Sequence, residues 1–390
     1  MHSSLAKTYS DFANDRQLEV LKAVDREGTN AKAAKSLGLS VRTIQEHIKN
    51  VKDKAALGGF DPDVGLDNRC PSGFDVTSVR VDANGNYKAA FAKPKKQEVE
   101  EGFDALVEAF NAKIKPVKAI KTPKKVDNKL LNLYTLSDLH LGCYAERVEN
   151  AQSDYTLDIA VDLVKKAFAD MIDRSPKSEK CFINLLGDTL HIDSFMPVTP
   201  ASGHVLDASC RYPTLLNASI ELIKWLVETA LKNHKQVTLL SAMGNHDPST
   251  AMAFTVFLKH MYEKESRVEV IDSARPYYSY NFGKNMLCFH HGHKRHKVQD
   301  LAVVFSSDNE FRKSWGDASF VYGHSGHFHN LQVSEGYGII WTQHPCLPSK
   351  DAYSSAGGYQ SNRACVGVTY HEDYGEYSSI FVRPEMFEQE

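Results

Sequence analysis

Val237-Thr238-Leu239-Leu240-Ser241-Ala242-Met243-Gly244-Asn245-His246-Asp247 is an apolar run that stops at a glycine and passes into three polar residues. Bounded in this way, it predicts a buried strand that delivers Asn245, His246 and Asp247 from its C-terminal end. The arrangement repeats upstream, where Leu130 to Leu136 runs into Asp138-Leu139-His140 and Cys181 to Leu186 into Gly187-Asp188. Downstream, Met286 to His290 leads to His291-Gly292, and Phe320 to Tyr322 to Gly326-His327-Phe328-His329. Roughly 35 to 60 residues separate successive motifs, room for one strand, one crossover and a return. Residues far apart in the chain would then meet at one sheet edge. Amphipathic helices are predicted near Leu157 to Ile172, Pro213 to Lys232 and Ala251 to Glu263. Together these predict an α/β fold of four layers, a two-layered β-sandwich flanked by helices. The later strands, including Tyr337 to Thr342 and Ala364 to Tyr370, are expected to build the second sheet.

The residue types fit one another chemically. Asp, His and Asn offer oxygen and imidazole donors suited to Mn, Fe, Zn, Ni or Mg, and no thiolate stands among them. A carboxylate between two cations can hold them about 3.5–4 Å apart, the separation that in-line displacement at phosphorus needs.

This set of motifs resembles the calcineurin-like metallophosphoesterase superfamily over about residues 130 to 345. The resemblance implies two divalent ions, Mn²⁺ foremost. Asp138, His140, Asp188 and His329 would hold the first, and Asp188, Asn245, His291 and His327 the second, with Asp188 bridging. His246 would be the catalytic histidine, protonating the leaving oxygen or stabilising developing charge, with Asp247 orienting its imidazole. Water activated between the ions would attack phosphorus. In Phe289-His290-His291-Gly292-His293 the ligand position before glycine selects His291, and alternation turns His290 to the opposite face. His293 and His296 are left as supporting, substrate-facing or exposed residues. The His-x-His spacing favours His327 and His329 over His324.

Departures narrow the substrate. The second motif continues Thr189-Leu190-His191-Ile192-Asp193, without the Asp-Arg-Gly of the protein phosphatases. His191 stands where purple acid phosphatases carry a tyrosine. What remains is the group of DNA-repair nucleases, cyclic-nucleotide phosphodiesterases and small phosphodiesterases. Only about 60 residues follow His329, too few for the separate capping domain of double-strand-break-repair nucleases. Fusion of a helix-turn-helix to such a core also resembles phage phosphoesterases.

That helix-turn-helix is expected over residues 16 to 56. Arg16 to Glu27 and Ala31 to Leu37 read as helices, Gly38 permits a tight turn, and Ser40 caps a third helix from Val41 to about Ala55. Gly-Leu-Ser-Val-Arg-Thr-Ile-Gln-Glu-His-Ile resembles the helix-turn-helix of bacterial response-regulator and resolvase types. Arg42, Thr43, Gln45, Glu46 and Lys49 would face DNA, Ile44, Ile48 and Val51 the domain core. Such modules commonly pair, so a homodimer is an expectation. The domains are expected at 1–57 (helix-turn-helix), 58–111 (connector), 112–129 (basic linker) and 130–390 (phosphoesterase). The connector would hold a hairpin, Phe74 to Val81 and Tyr87 to Phe91 around Asn84-Gly85, and a helix over Glu98 to Asn111.

The chain has 390 residues and a formal net charge of −3, which argues against wholesale non-specific nucleic-acid binding. The basic excess falls in the stretch up to about residue 57 and, more strongly, in 88 to 129, an electrostatic footprint for DNA. No apolar run has membrane-spanning length, and Met1 to Ser10 lacks a signal-peptide core. Seven scattered cysteines without metal spacing read as reduced thiols in a cytoplasmic protein. Two loops, Phe195 to Arg211 and Ser349 to Arg363, are placed to control access, the second offering Lys350, Tyr353, Tyr359 and Arg363. The function expected is a metal-dependent DNA nuclease. The alternative is a phosphatase or small-molecule phosphodiesterase whose N-terminal domain regulates or oligomerises.

Overall fold

The computed structural model describes residues 4–57, 74–81, 87–94 and 120–387. The chain divides into two compact units, Met1–Glu101 and Gly102–Glu390.

In the first unit, α1 (Leu5–Tyr9), α2 (Asp15–Glu27), α3 (Asn30–Leu37) and α4 (Val41–Leu57) precede a hairpin of β1 (Phe74–Val81) and β2 (Tyr87–Pro94). The helix boundaries follow from side-chain caps. Asn14 and Gln17 form a reciprocal capping box on α2, Thr29 caps α3, and the Ser40 hydroxyl accepts the Thr43 N–H at 3.0 Å. Gly28 and Gly38 end α2 and α3 in the left-handed conformation that glycine adopts without a Cβ clash. Val20, Ala33, Ala34 and Ile44 share one small core, and Leu21, Val51 and Ala55 another. The expected turn at Asn84-Gly85 and the expected helix over Glu98 to Asn111 lie outside the described residues.

The second unit holds two sheets. The larger has strand order β13-β12-β3-β4-β5-β6, from Gly375–Val382, Cys365–His371, Asp127–Leu136, Ser178–Leu185, Gln236–Ser241 and Val268–Val270. The smaller runs β10-β11-β9-β8-β7, from Gln332–Gly336, Ile339–Gln343, Phe320–Ser325, Asn285–Phe289 and Tyr278–Phe282. Side chains alternate between faces along each strand. Leu131, Leu133, Phe182 and Leu240 point between the sheets, where they meet Leu287, Phe289, Tyr278 and Tyr322, with Phe182 stacked on Phe289 at 4.8 Å. Tyr134, Leu136, Ile183 and Leu239 point the other way, into helices Leu157–Arg174 and Tyr212–Asn233. Met286 and Cys288 likewise leave the smaller sheet toward helix Val298–Ser307. The result is the expected four-layered α/β sandwich.

Two expectations need correction. Ala364 to Tyr370 does not join the second sheet: as β12 it pairs antiparallel with β3, Val366 opposite Thr135 and Tyr370 opposite Leu131. Its inward Val366, Val368 and Tyr370 fill the same layer between the sheets, so periodicity alone could not say from which side they enter. The basic linker also ends early, because β3 begins at Asp127 and Asp127 aligns with Ser178 of β4.

β3, β4 and β5 are parallel in one sheet, β8 and β9 in the other. All five of their C-terminal ends therefore lead directly into the polar motifs.

Candidate metal centre

Strands set the direction of approach, and glycines set its closeness. A Cβ at Gly244 would collide with the Asp188 carboxylate, and one at Gly326 with Ser137 and Asp138. The backbone is strained as well. Among the described residues seven non-glycine positions hold positive φ, and five of them are Asp138 (51°), His140 (41°), Asp188 (49°), His327 (71°) and His329 (56°). Each such residue costs on the order of 1–3 kcal/mol, so strain collected here must be held by surrounding contacts. Those contacts are visible. His327 N–H donates to both Asp138 oxygens at 3.0 Å, and His246 N–H to Asp188 Oδ1 at 2.8 Å. Ser137 donates a short hydrogen bond to Asp138.

The side chains converge as two donor sets. Asp138, His140 and His329 bring one ligand atom each within 4.8 Å of one another, and Asp188, His291 and His327 do the same. In the first set the Nε2 atoms of His140 and His329 stand 3.2 Å apart, with Asp138 Oδ1 at 3.3 Å from His329. In the second, His291 Nε2 lies 3.1 Å from Asp188 Oδ2 and 3.2 Å from Asn245 Oδ1. Asp188 Oδ2 is also 4.0 Å from His140 Nε2, so one carboxylate stands between the sets. His291 donates its Nδ1–H to the Leu186 carbonyl at 2.9 Å. That bond fixes the tautomer and leaves Nε2 as the ligating atom. Nitrogen lone pairs packed against buried carboxylates and an amide oxygen are a poor arrangement by themselves and a good one around cations. The donor set therefore fits two divalent ions.

Burial opposes charge on His291, yet the Asp188 and Asp138 carboxylates hold it up at about 9, so a cation bound here must displace the Nε2 proton. Burial drives His140 well down, and it pushes His327 and His191 to about 4.

His246 and Asp247 separate in role. His246 donates Nδ1–H to the His191 carbonyl at 2.9 Å and stands edge-on to His140 at 4.6 Å, so Nε2 is the atom it can offer a substrate. Asp247 does not orient that imidazole, contrary to expectation. Its carboxylate accepts the backbone N–H groups of Asp188 (3.1 Å), Leu190 (3.0 Å) and Gly244 (3.3 Å). It ties the second motif to the third. Burial, reinforced by Asp188, raises it to about 8.

The remaining histidines divide clearly. His290 packs on Tyr277 at 4.5 Å with its Nδ1–H on the Pro276 carbonyl, away from the donor sets. His324 is buried, between His344 (2.9 Å) and the Tyr370 hydroxyl (3.0 Å). His293 lies beside His291, ring centroids 5.4 Å apart, and His296 rests on Phe328. His191 is what sequence reasoning missed. It joins His140 and His246 in a third cluster of ligand-grade nitrogens, and the available signal was its place three residues after Asp188.

A cavity of about 510 Å³ opens over these residues and is walled by both anticipated loops, with Thr199, Ser202 and His204 from one and Lys350, Tyr359 and Gln360 from the other. Arg363 lines it but is buried, its guanidinium bonded to the Leu347 carbonyl (2.7 Å) and Ser153 (2.8 Å). The Tyr353 side chain lies outside the described set. Cys143 and Cys346 also line the cavity.

In the first unit, Arg42, Gln45, Glu46 and Lys49 are exposed along α4, and Arg42 Nε pairs with Glu46 at 3.1 Å. Thr43 is half-buried, with its hydroxyl 2.8 Å from that of Ser40, so it belongs to the helix cap. No helix among the described residues is long and apolar enough to cross a membrane.

No family model and no curated protein matches the sequence. Solved structures do. A predicted phosphoesterase from Streptococcus pneumoniae TIGR4 is similar at 11% identity and TM-score 0.27, over 65% of this chain and 98% of that one. An archaeal phosphodiesterase is similar at 14% identity and TM-score 0.32, over 65% and 99%. Purple acid phosphatase PPD1 from yellow lupin is similar at 10% identity and TM-score 0.30, over 67% and 55%.

Proposed function

We propose that this chain is a two-metal phosphodiester hydrolase that acts on DNA and is held to it by its N-terminal helices. The observation that carries the hydrolase reading is Asp188, whose Oδ2 stands between His291 of one donor set and His140 of the other. Asp138, His140 and His329 would hold one ion, and Asn245, His291 and His327 the other, with Asp188 shared. Mn²⁺ is the metal we favour, and Fe, Zn, Ni and Mg suit the same donors. Two bound ions would supply Lewis acidity at the phosphoryl oxygens and a water acidic enough to attack at neutral pH. The chain's own residues do the rest. His246 commits its Nδ1–H to the His191 carbonyl, and in its imidazolium form it would donate the Nε2 proton to the leaving oxygen. Asp247 keeps the second and third motif loops at fixed spacing.

The DNA reading is supported by three helices with a glycine turn and by Arg42, Gln45 and Lys49 exposed on α4. A helix with that face suits a major groove, and a lysine or arginine there contacts phosphate or guanine. One observation favours the alternative. The cavity beside the two donor sets has a volume of about 510 Å³, within the range of small-molecule sites and suited to a cyclic nucleotide or similar small ester.

The test gives full-length protein and an Arg42→Ala/Lys49→Ala variant single- and double-stranded DNA, RNA, cyclic nucleotides and a chromogenic phosphodiester, all with Mn²⁺. Weaker DNA cleavage by the variant with an unchanged chromogenic rate is the expected result. Turnover of small esters with DNA left intact would assign the enzyme to the phosphatase or cyclic-nucleotide class.

A further inference from the structure

His191 stands outside both donor sets yet touches the working parts of the site. Its Nδ1 is 3.3 Å from Nδ1 of His140, and its carbonyl accepts the Nδ1–H of His246 at 2.9 Å. Its ring stacks on that of His246, 5.4 Å between centroids and 23° between planes, and meets His140 edge-on. His191 is 3% exposed, and its Nε2 is buried without a hydrogen-bond partner.

We propose that His191 is the positioning residue for the first metal position, acting through Nδ1 on the tautomer and aim of His140. A neutral imidazole carries one proton. If His140 offers Nε2 to a metal, facing His329 and Asp138, its proton sits on Nδ1 and needs an acceptor. His191 Nδ1 is at that place. It accepts the bond, and its own proton then resides on Nε2. His291 and His246 are fixed by main-chain carbonyls, Leu186 and His191 respectively, which no substitution removes. The His140 ring depends on a side chain instead, while its backbone, at φ 41°, is tied by its N–H to the Asp188 carbonyl at 2.9 Å. The difference makes the first metal position sensitive to a residue that does not ligate it.

The inference rests on the two-metal reading, and the wild-type titration separates the two ideas. Full-length wild type, His191→Ala, His191→Asn and His191→Gln are each titrated with Mn²⁺ by calorimetry. Metal-free unfolding midpoints and kcat and KM for a chromogenic phosphodiester are measured alongside. Asparagine places its amide near the Nδ1 position and glutamine nearer Nε2, so the two amides ask which ring atom matters. The expected result is that Ala and Gln weaken the first ion by about 10- to 100-fold. Affinity for the second ion holds and kcat falls more than KM rises, while Asn restores most of the first ion's affinity. Wild-type affinity in His191→Ala would overturn the proposal. So would rescue by Gln but not Asn, which would assign the work to Nε2. If His191→Ala does not fold, the Asn–Gln comparison decides. A wild type that takes up no Mn²⁺ would fail the two-metal reading itself.

Discussion

Asp188 and Lys49 are both marked for function by the sequence, and the molecule holds them in different ways. Asp188 is 1% exposed, sits at φ 49°, and receives the His246 N–H at 2.8 Å. Lys49 lies exposed in the middle of a regular, side-chain-capped helix. The first site spends folding stability on geometry, with strained backbone, close glycines and carboxylates buried beside imidazoles. The second costs the fold almost nothing, since any helix former fits an exposed helical position. Geometry that is expensive to maintain can be reasoned about one residue at a time. An exposed face can be recognised only as a type.

The comparison breaks hardest at the bridge. Asp188→Ala should abolish uptake of both ions and lower phosphodiester turnover by at least roughly 10³-fold, read by metal analysis alongside the rate. Retained metal or rate would mean that the two sets do not share this carboxylate. His246→Ala should keep both ions yet lose about 10²- to 10⁴-fold in turnover. Loss of metal there would make His246 a structural residue. Gly244→Ala tests closeness of approach. The new methyl meets the Asp188 carboxylate, and a destabilisation of about 1–3 kcal/mol with weakened metal binding is expected in denaturant titration.

Acid should act through buried imidazoles away from the site. His234 donates Nδ1–H to the Ser178 carbonyl (2.9 Å) and accepts from the Tyr134 hydroxyl (3.1 Å). Burial lowers it from 6.5 to about 4. The unfolded chain therefore takes up this proton first. The contribution is complete above pH 6.5 and is lost as pH falls toward 4, by up to about 3 kcal/mol. Unfolding midpoints measured across that window for wild type and His234→Gln should converge toward the acid end, and parallel curves would refute this. The smallest effect belongs to the exposed face. Lys49→Ala should weaken DNA binding only several-fold and lower the salt slope by about one. An unchanged slope would take Lys49 out of any DNA contact.

Much of this was legible in the sequence, for physical reasons. A buried parallel strand reads as an apolar run, and a strand end that carries ligands must switch at once to polar residues, so β3, β4 and β5 could be placed from composition. The glycines beside Asp188 and Asp138 were legible because no other residue fits. Where a strand pairs was not. β12 returns to β3 across more than two hundred residues, and its alternation is the same whichever sheet receives it. Asp247 was misread because adjacency to His246 suggested a side-chain bond, whereas its carboxylate turns back onto three backbone N–H groups. His191 was noticed only as a departure from the purple acid phosphatase pattern and given no role, because that role depends on which ring atom faces His140.

The central claim is that Asp188 joins two divalent ions at one phosphodiesterase site. The most direct measurement is Mn²⁺ titration of chelator-stripped full-length protein, with hydrolysis of a chromogenic phosphodiester followed in the same samples. The account predicts two ions bound per chain, activity that rises with their occupancy, and loss of both in Asp188→Ala. Binding of a single ion, or hydrolysis that survives chelation, would contradict it.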